Sequence, residues 1–188
     1  MLLWSIDATT GYDTAWARID ADCMTAEGRT CGLSPDPFWV TYTFETSDAY
    51  ATRRMAVEAR WAGGSAVLDL RRDDAGWTVN GVPRPELDAA LDCDLAGCPL
   101  TNTMPILRHR IHREPGERDF LIAFIEVPSL RVVANAQRYT HLLANDDGGG
   151  LVRYSSGSFQ SDLTIDRNGF VVDYPQLGRR VEARPALE

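Results

Sequence analysis

Along much of the chain, apolar and polar residues alternate at a spacing of two, which is the period of a β-strand with one buried face. Aromatic side chains and threonines alternate between residues 39 and 44. The next segment divides its side chains between two faces, with Met55, Val57, Ala59 and Trp61 on one and Arg54, Glu58 and Arg60 on the other. This pattern predicts half-buried strands of an antiparallel sheet.

Shorter segments continue the pattern, and turn residues separate them. Further strands are predicted at residues 66–70, 77–79, 159–166 and 170–174. The dipeptides Asn80-Gly81 and Asn168-Gly169 are typical of tight turns between neighbouring strands, and the second is the clearer signal. The fold class predicted from the pattern is therefore mainly β.

Two segments depart from plain alternation. Residues 120–127 are apolar on both faces, which predicts a strand covered by the core on one side and by a partner subunit or an internal element on the other. Residues 85–91 begin with a proline, as helices often do, and are the best helix candidate in the chain. We predict one domain over residues 1–178 and a C-terminal tail over residues 179–188, in which Leu187-Glu188 resembles a cloning scar.

Composition narrows the class of protein. The 188 residues are 44% hydrophobic and 24% charged, which is ordinary for a globular chain, and no apolar run approaches the ~18 residues of a membrane-spanning helix. The net charge of −8 argues against a nucleic-acid partner, which requires a concentrated basic surface. The amino terminus lacks the basic region of a secretory signal, so a cytoplasmic location is expected.

Cysteines and histidines give no sign of a metal site. The four cysteines form no C-x-x-C pair and have no histidine at zinc spacing, so free, buried thiols are expected, and neither a metal nor a cofactor is predicted. The few histidines also offer no convincing base for serine or cysteine catalysis. No catalytic residue is assigned from the sequence.

The segment from Leu91 to Arg110 carries the most chemistry. If residues 91–95 form a strand, Asp92 and Asp94 point to the same face, with Cα atoms roughly 6.5 Å apart. Thr101-Asn102-Thr103 follows between two prolines, which predicts a short turn or a single helical turn and then a new strand from Ile106.

This segment and several others resemble the "putative glycolipid-binding" family, once known only as a domain of unknown function. The resemblance is carried by the blocks Leu91-Asp92-Cys93-Asp94-Leu95, Pro99-x-Thr101-Asn102-Thr103-Met104-Pro105-Ile106 with Arg108, Val127-Pro128-Ser129-Leu130, Gln137-Arg138-Tyr139-Thr140, Tyr154 with Phe159, and Asp166 to Pro175. Upstream, Trp4 and Trp77 to Gly81 also fit. The chain departs from the pattern at Ala89-Ala90 and Leu107, and matches loosely over its first forty residues.

The resemblance implies a large curved antiparallel sheet, a barrel-like wrap around a single helix, remotely similar to lipoprotein-localisation factors. It also implies a homodimer, an acidic pocket, and a role in glycolipid metabolism or the cell-envelope response. Motif position and side-chain chemistry together give the candidate ligand-binding residues: Asp92, Asp94, Thr101, Asn102, Thr103, Arg108, Gln137, Tyr139 and Asp173.

Three functions remain open on the sequence alone. The first is a carrier or sensor of a glycolipid or other amphiphile, in which carboxylates and amides bind sugar hydroxyls. The second is a glycoside hydrolase that uses Asp92 and Asp94, although two such neighbours project in parallel and a further acid such as Asp173 would be required. The third is a dimeric interaction protein without a ligand, whose contact surface includes the apolar strand near Phe120.

The block around Gln137 allows a finer prediction. On a strand, Gln137 and Tyr139 lie on one face and Arg138 on the other. Gln137 and Asn102 can each donate and accept hydrogen bonds, whereas Arg108 and Arg138 can pair with the acids or receive a phosphate. We therefore expect Gln137 and Tyr139, but not Arg138, to reach a common ligand.

Overall fold

The computed structural model describes residues 1–182 and contains one open sheet of fifteen strands. The strands are β1 Leu2–Ile6, β2 Gly11–Asp20, β3 Cys23–Gly32, β4 Phe38–Thr46, β5 Thr52–Trp61, β6 Gly64–Asp73, β7 Gly76–Val79, β8 Val82–Pro83, β9 Asp92–Leu95, β10 Glu117–Ile125, β11 Val132–Ala144, β12 Gly150–Ser156, β13 Phe159–Ile165, β14 Val171–Tyr174 and β15 Gly178–Arg180. The mainly-β prediction is confirmed: the sheet is large and curved, and it does not close into a barrel.

Sequential antiparallel pairing generates almost the whole sheet. Its spatial order is β8-β7-β6-β5-β4-β3-β2-β1-β15-β14-β13-β12-β11-β10-β9. Strand β1 pairs with β15, so the first eight strands are joined to the last seven through the two ends of the chain. Strand β9 is the exception in direction, because it lies parallel to β10 at one edge of the sheet.

The sheet curls far enough for its edge strand β9 to contact the beginning of β5. The backbone N–H of Thr52 donates to the carbonyl of Leu91 (2.9 Å), and the N–H of Cys93 donates to the Thr52 hydroxyl (3.0 Å). These bonds satisfy polar groups on the side of β9 that faces away from β10. The edge strand is thereby held against the inner wall of the sheet.

Within residues 1–182 there is one α-helix, α1, which spans Thr103–His109. The helix predicted at residues 85–91 is a one-turn 3₁₀ helix, Pro85–Leu87. The other 3₁₀ turns are Asp7–Thr9, Asp48–Tyr50 and Pro99–Asn102. The strand predicted from Ile106 is wrong, because Ile106 lies inside α1. Pro105 is the third helical residue, where the missing N–H costs no intrahelical bond, so it is compatible with the first turn.

The core lies between the curved sheet and the inner segment from Leu87 to Ile111. In a first cluster, residues of β1–β7 pack against Leu95, Leu100 and Met104. In a second, Ile106 packs against β11–β14. The indoles of Trp4 and Trp77 are buried, and their N–H groups donate to carbonyl oxygens. The inner segment therefore packs against the strands of both halves of the curved sheet.

Strand β10 has both of its apolar faces largely covered within the chain. Ile122, Ala123 and Ile125 are buried, and the half-buried Phe120 packs against the rings of His109 and Tyr139. Internal elements therefore cover much of β10, while Leu121 and Phe124 stay half-buried.

At the other end of the chain, Arg179 and Arg180 belong to β15, although the sequence analysis places them in the tail. Leu187-Glu188 lies outside the described residues. Among residues 1–182, no helix is both long and apolar enough to cross a membrane.

Candidate functional site

Strand β9 places its two acids on one face, as its alternation predicts, and this face is buried in the structure. Asp92 and Asp94 are 1% and 8% exposed, whereas Cys93 and Leu95 point into the first core cluster. All four residues of β9 are buried. The acids face the segment that includes Thr101 and Arg108, and Cys93 and Leu95 face the first half of the sheet. The two acids share a face, but they have different partners.

Asp92 forms a bidentate ion pair with Arg108 of α1. The guanidinium Nη1 donates to Asp92 Oδ2 (2.8 Å), and Nη2 donates to Oδ1 (2.5 Å). Nε and Nη2 also donate to the carbonyls of Ala49 and Tyr50. Burial raises the pKa of Asp92, and the guanidinium opposes that shift. Asp92 and Arg108 therefore satisfy each other and fix α1 to β9 and to the 48–50 turn.

Asp94 has only neutral hydrogen-bond partners. Its Oδ1 lies 2.6 Å from the hydroxyl of Thr101, and its Oδ2 accepts from Gln137 Nε2 (2.8 Å). Burial is the largest cause that raises the pKa of Asp94; the two hydrogen bonds oppose it, and the nearby Asp92 adds to it.

Asn102 extends this group of polar side chains across the interior. Its Nδ2 donates to the hydroxyl of Tyr139 (2.8 Å), which in turn donates to Gln137 Oε1 (3.2 Å). Gln137 and Tyr139 share the inner face of β11, and Arg138 lies on the outer face, where it pairs with Asp119. The relative placement of these three residues is as the strand period predicts.

The remaining candidates lie apart from this group. Thr103 is fully buried at the start of α1, and its hydroxyl has no partner among the described residues. Asp173 forms an ion pair with Arg179 and takes no part in the Asp94 network. The structure thus brings together five of the nine candidates: Asp94, Thr101, Asn102, Gln137 and Tyr139.

A cavity of about 260 Å³ adjoins this group, with Asp94 and Asn102 on its wall. Its other lining residues are Ala96, Gly97, Phe124, Asn135, Tyr154, Ser156, Phe159, Tyr174 and Leu177. The cavity combines one carboxyl group, two amides and several aromatic rings, which is the mixture of apolar walls and few polar groups typical of small-molecule sites.

Three rings form one side of the cavity. Tyr154 lies edge-on to Phe159 and to Tyr174, with ring centroids 6.0 Å apart in both pairs. Phe159 is 40% exposed, so its ring is free to contact a ligand. Burial raises the pKa of both tyrosines, which keeps their hydroxyls protonated and able to donate.

The paired-carboxylate arrangement of a glycosidase is not formed by the predicted acids. Asp92 is occupied by Arg108, and Asp173 by Arg179, which leaves Asp94 as the one predicted acid that reaches the cavity. Hydrolysis of a glycosidic bond by paired carboxyl groups requires one carboxyl group on each side of that bond. The predicted acids therefore do not form the acid–base pair of a glycosidase.

Sequence reasoning missed several cavity residues, among them Asn135, Ser156 and Tyr174. Asn135 was accessible in principle, because it lies two residues before Gln137 on β11 and so on the same face. Ser156 donates to Asn135 Oδ1 from the next strand (3.0 Å), a relation that requires the strand register.

Elsewhere in the described part of the chain, one group near the surface has ligand atoms close enough for a metal: Asp22, Cys23 and Asp48, within 4.8 Å of one another. Its carboxylates and thiol are partly used by local hydrogen bonds, since Asp22 accepts from the N–H of Ala49. All four cysteines are free thiols, as predicted, but only Cys93 and Cys98 are buried; the prediction of burial is wrong for Cys31, which is exposed, and for Cys23, which is half-buried.

Comparison with known proteins agrees with the resemblance found in the sequence. A crystal structure of a DUF1089 family protein from Pseudomonas aeruginosa superposes with a TM-score of 0.73 at 27% identity, covering 90% of this chain and 92% of that one. No curated protein matches. Residues 1–180 match the family described as "Putative glycolipid-binding". The chain is a member of that family.

Proposed function

We propose that this protein binds the sugar headgroup of an amphiphile in the cavity beside Asp94. The observation that carries the proposal is the composition of the cavity wall, where Asp94, Asn102 and Asn135 face the rings of Phe159 and Tyr174. Sugars present hydroxyls that both give and accept hydrogen bonds, and C–H faces that pack on aromatic rings. Amide and carboxyl groups supply the first kind of contact, and the rings supply the second.

The size of the cavity limits what enters it. A volume of about 260 Å³ equals that of roughly nine water molecules in the liquid, which accommodates a headgroup and not a whole lipid. The lipid part of the ligand therefore stays outside, near the exposed edge of Phe159. In this proposal Asp94 is the acid of the pocket that the family resemblance implies.

Native mass spectrometry tests the proposal directly. The protein is incubated with a bacterial lipid extract or with octyl β-glucoside, repurified and weighed under non-denaturing conditions. We expect a retained mass in the wild type and a marked loss of it in Phe159→Ala, which removes one ring of the cavity. Leu143→Ala is the matched control, because Leu143 is also exposed (57%) but is not a lining residue. Equal retention by both variants would refute the site, and no retention by any form would refute the function.

We also propose that two copies associate through the outer face of β2–β6. This face exposes Tyr12, Trp16, Trp39 and Val67, each more than half accessible. Large accessible apolar groups on one face are typical of an interface. The same face also carries charges of both signs: Arg29 and Glu58 lie in one row on either side of Thr41, and Glu27 and Arg54 line the same groove. A second copy turned by a twofold rotation would place arginines of one copy against glutamates of the other. Light scattering on Trp16→Glu tests this, with a monomer as the expected result; an unchanged mass would refute it.

A cytoplasmic location completes the proposal. Four free cysteines, two of them buried, suit a reducing compartment. Fractionation of cells that produce the protein tests this: recovery with the periplasmic fraction would refute it.

A further inference from the structure

Four side chains beside the cavity form a hydrogen-bond chain that runs in one direction and ends at Asp94, and a fifth, Thr101, contacts its end. Asn102 donates to Tyr139, Tyr139 donates to Gln137, and Gln137 donates to Asp94 Oδ2. Asp94 Oδ1 and the Thr101 hydroxyl are the last contact of the chain. Every member is at least 92% buried, so each donor and acceptor must be satisfied within the group or by a ligand.

The Thr101 hydroxyl has one proton and three neighbours. Its oxygen accepts from the backbone N–H of Leu95 (3.2 Å), and it lies 2.8 Å from the carbonyl of Cys98 and 2.6 Å from Asp94 Oδ1. If Asp94 is ionised, Thr101 gives its only hydroxyl proton to Asp94, and the carbonyl of Cys98 keeps only the longer bond from the backbone N–H of Thr101 (3.2 Å), while two oxygens without a proton between them stand 2.8 Å apart. If Asp94 is a neutral acid, its O–H donates to Thr101, and Thr101 donates to Cys98. All three contacts are then hydrogen bonds.

No positive charge faces Asp94 from the elements around it. Along its own strand the neighbouring charge is Asp92, which repels a second anion, and the guanidinium of Arg108 is already bound by Asp92. The groups that face Asp94 from the 3₁₀ turn, β11, β12 and β14 are neutral: Thr101, Asn102, Gln137, Tyr139, Tyr154 and Tyr174. Burial without a counter-charge raises the pKa of Asp94.

We propose that Asp94 is a neutral carboxylic acid at neutral pH, and that it makes the cavity selective for an uncharged, hydroxyl-bearing headgroup over a cationic one. This inference rests on the proposed function, because it concerns the ligand of the same cavity. It also changes the chemistry expected of an acidic pocket, since an ionised carboxylate would favour an amine.

The preference for an uncharged headgroup follows from the groups on the cavity wall when Asp94 is neutral. Its proton is used by Thr101, so it presents to the ligand an acceptor without a full charge. Asn102 and Asn135 offer amide groups, and Tyr154 and Tyr174 offer hydroxyls. Sugar hydroxyls form hydrogen bonds with such neutral groups, as donors and as acceptors. An ammonium group would enter a wall with no anion to compensate its loss of hydration.

The protonation state is tested first, on the protein without ligand. Carbon-13 NMR of the protein labelled in its aspartate carboxyl groups gives a resonance for Asp94, assigned by its disappearance in Asp94→Asn. We expect this resonance at the position of a protonated acid at neutral pH. A resonance at the carboxylate position at neutral pH would overturn the inference, whatever the ligand is.

Selectivity is tested with two probes that differ by one charge. Octyl β-glucoside and its 2-amino-2-deoxy analogue are compared by calorimetry at neutral pH. We expect the neutral glucoside to bind at least about tenfold more tightly than the ammonium form, which corresponds to about 1.4 kcal/mol. Tighter binding of the amine would overturn this inference and leave the proposed function standing. Binding of neither probe would overturn the proposed function and the selectivity with it, and the NMR result would still decide the protonation state.

Asp94→Asn is compared with the wild type through the ratio of the affinities for the two probes. An asparagine amide donates to Thr101 and accepts from Gln137, as the neutral acid does, and it carries no charge at any pH. We therefore expect the glucoside-to-amine ratio of the variant to stay within about threefold of the wild-type ratio, whatever happens to the absolute affinities. A ratio that rises more than about threefold in the variant would show that the wild-type carboxyl group is charged and would overturn the inference.

Discussion

Substitution of Asp13 should change how the stability of the fold depends on pH. Asp13 lies on β2 and is fully buried between the sheet and the inner segment. Its Oδ2 is 3.5 Å from Cys98 Sγ, and its Oδ1 has no partner among the described residues. Burial raises the pKa of Asp13 from 3.8 to about 7, and the contacts with Cys98 and Tyr42 offset only part of this.

The size of the effect follows from linkage. Between pH 3.8 and about 7, the folded protein holds a proton on Asp13 that the unfolded chain has released. The stability from this residue is therefore fully present below pH 3.8, and it falls as the pH rises to about 7. About three pH units at about 1.4 kcal/mol each give a loss of about 4 kcal/mol. Above pH 7 the contribution is constant.

Urea unfolding of the wild type and of Asp13→Asn, at pH values from about 4 to about 8, measures this loss. Asparagine does not titrate, so the free energy of unfolding of the wild type should fall by about 4 kcal/mol relative to the variant. Asp92 and Asp94 titrate in both proteins, and their effects cancel in the difference. A difference that stays constant across the pH range would refute the reasoning.

Three further predictions concern stability. Arg108→Met leaves Asp92 buried without its partner and should cost about 3–5 kcal/mol in urea unfolding, and adding Asp92→Asn should recover most of it; a loss below about 1 kcal/mol would contradict this. Trp4→Phe removes the donor to the carbonyl of Val171 and should cost about 1–3 kcal/mol, whereas an unchanged midpoint would mean that water replaces it. Pro105→Ala should change stability by no more than about 1 kcal/mol, and a larger loss in thermal unfolding would contradict the first-turn position of Pro105.

The strands were predictable because one face of most of them meets the core. Period-two alternation gives both the strand and its buried side, as in the segment that holds Met55 and Val57. The helix was not predictable in this way, since seven residues complete only two turns and Pro105 favours extended backbone before it. The order of the strands was equally hidden, because β1 pairs with β15 at the far end of the chain.

The sequence predicted several residues of the candidate site, but not which side chains contact each other. Alternation correctly places Asp92 and Asp94 on one face, but no local rule tells which partner each acid meets. Arg108 comes from a helix 16 residues further along, and Gln137 comes from a strand 43 residues away from Asp94. Asp92 forms an ion pair and Asp94 forms neutral hydrogen bonds because different distant elements supply their partners.

The pairing of β1 with β15 also determines when the sheet becomes continuous during synthesis. The first eight strands leave the ribosome well before β15. Until β15 arrives, β1 is paired with β2 on one edge, and its other edge is unpaired. Open edges of this kind pair readily with strands of other chains. A half-sheet of β1–β8 therefore exposes a strand edge that favours aggregation, and β15 covers this edge when it pairs with β1 and joins the two halves.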